Sequence, residues 1–269
     1  MSDVTRRSLL KGLGAAGLTA ATLPGLLAAA PTVPGALNQS VPTGADVDTV
    51  VFPSGVASGD PTPTGAIVWV RVDPVAIAAA PDTELVLIVA RDAALTERVL
   101  TRVVAPDELA LRGAERDGTV RVDIDGMLPT ADTHYYYRWF LGGAASRLGR
   151  LRTTPAAGTM VNHLRFGVYS CSNYPAGQFN AYGAGARDGL DYVIHVGDWL
   201  YEGASGNGSG ERDVVIESGA SRMSSLADCY DIHRTYRTDP HVQDLLAMHT
   251  LIATWDDHET VNNPWYDYA

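Results

Sequence analysis

Asp191-Tyr192-Val193-Ile194-His195-Val196-Gly197-Asp198-Trp199-Leu200-Tyr201-Glu202 is the stretch that decides the fold class of this chain. A short β-branched, apolar run predicts a buried strand over residues 191–196, and Gly197 marks the turn that ends it. Acidic and aromatic oxygens then follow in a loop beyond the carboxyl end of that strand, where open α/β sheets bind their ligands. Trp255-Asp256-Asp257-His258-Glu259 repeats the arrangement after a predicted strand at 250–254. Working outward, a strand is predicted at 164–170, and helices at 178–186, at 226–236 and from Pro240 to about His249. Strands alternating with helices describe an α/β layer structure from Val161 onward.

Before that point the pattern differs. Segments 65–72, 84–90, 98–104, 119–124, 133–141 and 146–153 read as short strands separated by turn signals, which predicts a β-sandwich. Leu128-Pro129-Thr130 ahead of Tyr135-Tyr136-Tyr137 resembles the turn and strand of fibronectin type III-like modules, which build a tyrosine corner there. Val56-Ala57-Ser58-Gly59-Asp60-Pro61 is expected to be a turn of the same region. Residues 31–48, with Pro31, Pro34, Gly35, Pro42 and Gly44, read as a linker, and the glycine- and serine-rich run 203–210 as a flexible loop bordering the site.

The first thirty residues have the features of a removable address. Arg6-Arg7-Ser8-Leu9-Leu10-Lys11 precedes a weakly hydrophobic, small-residue stretch ending in Ala28-Ala29-Ala30. The paired arginines resemble a twin-arginine signal, so residues 1–30 predict an exported protein, periplasmic or secreted, that uses the twin-arginine machinery. An ordinary secretory signal is the simpler reading. No stable membrane span is expected in the mature protein. Residues 1–30 hold three basic residues (Arg6, Arg7, Lys11) and one acid (Asp3), so their removal takes the net charge from −11 to −13. Such a surface argues against binding nucleic acid. With 269 residues, 46% of them hydrophobic, the chain can bury a real core. Cys171 and Cys229 could pair in an oxidising compartment, but Cys171 has a better use beside the candidate site.

Three successive predicted strands end in polar residues: Cys171 with Asn173, Asp198 with Tyr201, and Asp257 with His258 and Asn262. Packing alone does not call for that. Asp198 reads as a bridging metal ligand, or more simply as a helix cap. Tyr201 is close enough in sequence to reach the same ion, or else is a core aromatic. A phenolate ligand, from a group that titrates near ~10, needs a strongly Lewis-acidic ion such as ferric iron. A Cys171 thiolate suits iron or zinc. Asp257 would bind a second cation, with His258 at the substrate as electrophile or general acid. Asn173, Asp256 and Glu259 are expected to orient these groups. His163, His195, His233, His241 and His249 read as surface or core positions.

Together with the signal and Ser54-Gly55-Val56-Ala57-Ser58-Gly59-Asp60-Pro61, the motifs Ser170-Cys171-Ser172-Asn173-Tyr174, Gly197-Asp198-Trp199-Leu200-Tyr201-Glu202 and Trp255-Asp256-Asp257-His258-Glu259 resemble PhoD-like alkaline phosphatases of the metallophosphoesterase superfamily. The resemblance implies an αββα phosphoesterase core over residues 160–269, C-terminally incomplete, after an all-β fibronectin/Ig-like domain at 49–155. It implies a phosphate ester substrate, hydrolysed as mono- or diester by two-cation activation of water, with ferric iron and calcium as cofactors or zinc or another divalent ion in their place. Cys171, Asp198 and Tyr201 match the family's iron ligands. Asp198 also matches a calcium contact, and Asp257 and His258 the second-metal and substrate positions. A core of this kind continues with further strands bearing histidine and aspartate ligands, so the chain is expected to be an N-terminal fragment, with unpaired sheet edges and doubtful activity. The competing reading is an exported β-sandwich binding module followed by a catalytically dead remnant.

Overall fold

The computed structural model describes residues 46–204 and 212–263. The expected signal at 1–30, most of the linker and most of the 203–210 loop lie outside the described residues.

Among the described residues eleven strands form two sheets. They are β1 (Val56–Thr62), β2 (Gly65–Arg71), β3 (Leu85–Ala90), β4 (Arg98–Val104), β5 (Thr119–Asp123), β6 (His134–Leu141), β7 (Ala144–Ala145), β8 (Gly149–Arg152), β9 (Phe166–Tyr169), β10 (Tyr192–His195) and β11 (Thr250–Ala253). One sheet has the order β4-β3-β6-β7, with β8 also paired to β6. The other runs β5-β2-β1-β11-β10-β9.

Period-two alternation explains how the sheets meet. Val68 and Val70 of β2, Leu85, Leu87 and Val89 of β3, and Tyr135, Tyr137 and Trp139 of β6 all enter one buried cluster. The result is an N-terminal β-sandwich. Its tyrosine corner is present: Thr130 N donates to Tyr135 Oη at 3.0 Å.

Three local expectations change. Val56–Thr62 is a strand, not a turn, because it pairs antiparallel with β2 through a bulge, with Asp60 at a φ of 47°. Two short helices also interrupt the all-β region: α1 (Pro74–Ala79), whose Asp73 side chain accepts from Val75 N, and α2 (Pro106–Glu115), with Asp107 and Glu108 in its first turn. Both begin with proline at a position where the missing N–H costs nothing.

The α/β part supplies α3 (Asn180–Arg187), α4 (Leu226–Tyr236) and α5 (Pro240–Met248). β9, β10 and β11 are parallel neighbours, in the register Val193↔Gly167 and Val193↔Leu251. β11 also joins β1 in parallel at Gly59↔Leu251, so the sheet continues from the α/β part into the sandwich. α3 and α5 pack on one face of this sheet through Tyr182, Val242, Leu245 and Leu246. Their approach is close: a Cβ on Gly183 would lie 2.3 Å from His241 Nδ1. β9 is an edge strand among the described residues, with Phe166 44% and Val168 63% exposed. No described helix is long and apolar enough to cross a membrane.

Candidate metal centre

The parallel register brings the carboxyl ends of β9, β10 and β11 to one edge, so Cys171, Asp198 and Asp257 leave the sheet from adjacent strands. The strand ends are tied directly: Cys171 N donates to Gly197 O at 3.3 Å and Ser172 N to Asp198 O at 2.8 Å. Cys171 and Asp198 both have positive φ, 57° and 53°. Backbone strain at such positions clusters at functional sites.

Gly197 has to be glycine. Its φ is +103°, and a Cβ there would meet Asp256 Cβ at 2.4 Å and Asp256 N at 2.6 Å. Glu259 completes the turn. Its carboxylate accepts from Asp198 N at 3.1 Å, Trp199 N at 2.5 Å and Asp256 N at 2.7 Å, binding the two loops to each other.

At the centre, the donor atoms of Asp198, Asp257 and His258 lie within 4.8 Å of one another, with Asp198 only 7% exposed. Tyr201 reaches the same carboxylate: its hydroxyl donates to Asp198 Oδ2 at 3.3 Å. Burial, and then the Asp198 carboxylate and the neighbouring Cys171 thiol, push the Tyr201 phenol well above its ordinary range. The phenol is therefore protonated at neutral pH unless a cation displaces its proton. Asn173 Oδ1 is buried without a hydrogen-bond partner, and its residue lines, with Cys171, a cavity of about 430 Å³. Both cysteines are free thiols.

Other predicted residues make different contacts. Asn262 donates its backbone N–H to Glu202 Oε1 at 3.2 Å, and its side-chain oxygen accepts from Asn263 Nδ2 at 3.1 Å. Asn263 N donates to Asp257 Oδ2 at 2.6 Å. No hydrogen bond among the described residues ties Asn262 to Asp198 or Asp257. Asp256 contributes its N–H to Glu259 and its Cβ to the contact that excludes a side chain at Gly197.

Two features were absent from the sequence reading. Glu202, buried, lies 2.7 Å from His258 Nδ1 through Oε2, while the Tyr201 ring lies against the His258 ring at a centroid distance of 4.0 Å. Burial lowers the His258 pKa, but the Glu202 hydrogen bond and charge outweigh it and leave it raised; burial raises Glu202, and the bond to His258 leaves it lowered. Beneath the strand ends, Ser172 Oγ and Tyr182 Oη each lie 3.0 Å from His195 Nε2 and are hydrogen-bonded to each other. Burial brings His195 down to about 4, so it is neutral. His195 is thus a core residue, as expected, although its Nδ1 has no partner.

A strand-end carboxylate shared between a phenol and an Asp-His pair, on a parallel sheet joined to a β-sandwich, offers oxygen and nitrogen donors of the kind that hold metal ions. Comparison with known families is more specific: residues 38–155 match the model for the PhoD-like phosphatase N-terminal domain, and residues 166–269 match that for PhoD-like phosphatase. The chain belongs to the PhoD-like phosphatase family. It is homologous to alkaline phosphatase D of Bacillus subtilis (strain 168), with 31% identity over 212 residues, 79% of this chain and 36% of the relative. A solved structure of PhoD superposes with a TM-score of 0.68 at 29% identity, over 83% of this chain and 42% of the other. The chain therefore spans about a third of the curated relative and less than half of the solved one.

Proposed function

We propose that this chain carries part of the active site of a metal-dependent phosphoric-ester hydrolase, of the kind that alkaline phosphatase D is named for. The observation that carries this reading is the convergence of Asp198, Asp257 and His258 within 4.8 Å, with Tyr201 on the same carboxylate. On this reading residues 49–155 are the scaffold and residues 160–269 bear the chemistry.

The donors fit two kinds of ion. Cys171 and Tyr201 with Asp198 would suit a strongly Lewis-acidic ion such as ferric iron, or zinc in its place. Asp198 and Asp257 would suit calcium or another oxygen-seeking divalent ion, and Asn173 Oδ1, beside Cys171, is an unpartnered oxygen. Bound cations would polarise a phosphoryl oxygen and lower the pKa of bound water.

The chain's own residues prepare the rest. Glu202 holds His258 by Nδ1 and raises its pKa, so Nε2 is left to donate a proton to a leaving oxygen. Glu259 fixes the Asp198 turn, and burial of Asp198 strengthens its hold on a cation. The paired arginines at 6 and 7 support export by the twin-arginine route, which replacing both with lysine should block in a secretion assay.

Ferric iron added to the protein should produce a visible charge-transfer band that Tyr201→Phe removes. In the same preparation Asp198→Asn should abolish metal binding, and any turnover of a chromogenic phosphate ester, while leaving the circular dichroism unchanged. Iron bound tightly without colour, or undiminished in Asp198→Asn, would overturn the assignment.

A further inference from the structure

Away from the strand ends, a cavity of about 250 Å³ opens between the sandwich and the end of α4. Its walls include Trp69, Arg71, Thr119, Tyr230, Arg234 and Arg237. The carboxylate lining it, Asp117, is already engaged on both oxygens: Arg71 donates to Oδ2 at 2.8 Å and to Oδ1 at 2.9 Å, and Arg234 donates to Oδ1 at 2.7 Å. Arg234 is held also by Asp231.

Arg237 is different. Its side chain has no carboxylate within ion-pair distance among the described residues, and its Nη1 is buried with no hydrogen-bond partner. Its guanidinium carbon lies 4.2 Å from the Trp69 ring centroid and 5.7 Å from that of Trp199. Aromatic faces offset part of the cost of burying a cation, but the charge and a donor stay unmatched. Burial brings the guanidinium down to about 10, so it is still charged at neutral pH. A part-buried, unpaired cation with a buried donor on the wall of a cavity favours an anion as the complement. With a water's share of liquid at about 30 Å³, the cavity has room for a tetrahedral oxyanion and several waters.

We propose that this cavity binds a small oxyanion of the phosphate class, with Arg237 as its principal partner and the hydroxyl-bearing Ser54, Thr119 and Tyr230 around it. It is separate from the candidate metal centre. Two contacts link them: Arg237 touches Trp199, next to Asp198, and Tyr236 Oη accepts from Tyr201 N at 3.1 Å. Occupancy would thus brace the turn that carries Asp198 from behind.

The test uses the full chain with EDTA present, so that phosphate cannot bind through a metal at the strand ends. Inorganic phosphate and sulfate should each raise the melting midpoint with the logarithm of their concentration above Kd, by about 5 °C at a hundredfold excess, and chloride at matched ionic strength should not. Arg237→Met should weaken phosphate binding at least tenfold by calorimetry. If that variant does not fold, Arg237→Lys answers the question by keeping the charge and removing the planar fork: a fall of threefold or more supports the site. No stabilisation of the wild-type chain by phosphate or sulfate beyond that of chloride, or an unchanged affinity in the Arg237 variant, overturns it. Glycerol phosphate binding more tightly than inorganic phosphate would assign the site to an esterified phosphoryl group, and the reverse order to the free ion.

Discussion

Gly197→Ala is the sharpest perturbation of the candidate site, because it adds one methyl group and no charge. Two penalties combine. At φ +103° an L-residue is strained, at about 1–3 kcal/mol. The new Cβ would also lie 2.4 Å from Asp256 Cβ and 2.6 Å from its backbone N, and because those atoms belong to a loop held by Glu259, relief requires the two loops to separate. Overpacking of this kind costs about 1–3 kcal/mol more. A loss near ~4 kcal/mol follows, or of the order of 10 °C in melting midpoint for a domain of this size. Gly158→Ala is the control: its φ is +80° and nothing lies within 4 Å of the added carbon, so only the backbone strain remains. Thermal melts by circular dichroism, with metal affinity measured alongside, give the answer. The reasoning is refuted if Gly197→Ala melts within about 2 °C of the Gly158→Ala control, since the contact with Asp256 would then carry no weight.

Further outcomes concern the residues around that turn. Glu259→Ala leaves three backbone N–H groups without their acceptor and should cost about 2–3 kcal/mol in urea unfolding; a loss under about 0.5 kcal/mol would show that water replaces the carboxylate freely. The Glu202–His258 pair gives a pH window. His258, raised, contributes stability that is complete below its unfolded value of 6.5 and is lost as pH rises through its folded value. Glu202, lowered, contributes stability present above 4.5 and lost as pH falls through its folded value. The pair is therefore most effective between those limits, and Glu202→Gln should move the His258 titration, followed by NMR, downward; an unmoved midpoint would remove Glu202 as its cause. Ser172→Ala should cost about 1–2 kcal/mol by opening the contacts to Tyr182 and His195, and an unchanged midpoint in thermal melts would mean that Tyr182 and His195 suffice alone.

Much of this was legible in the chain because the relevant physics is local. An apolar run followed by Gly-Asp and a tyrosine three residues on states its own strand and turn, and in the structure the Tyr201 hydroxyl donates to Asp198 Oδ2 at 3.3 Å. The start signals of α1 and α2 are equally local, in the Asp73-Pro74 cap and in the Pro106-Asp107-Glu108 first turn, although strand signals surround them. Glu202 had no such signature. A carboxylate within a motif reads the same whether it faces solvent or a histidine, and its partner is 56 residues away.

By itself the sequence determined most of the strands, the three helices of the α/β part, which strand ends carry donors, and that the first part is a sandwich, since period, turn chemistry and residue type are properties of neighbours along the chain. The tertiary structure alone decided the rest. Val56–Thr62 becomes a strand because β2 and β11 lie beside it, the two sequence regions share a sheet through Gly59 and Leu251, and Glu259 closes on a turn 60 residues distant. Arg237 becomes an unmatched, part-buried cation because folding sets it beside Trp69 and Trp199, remote in sequence. Pairing and burial depend on what folding brings together, and a lone sequence does not encode those distances in any short pattern.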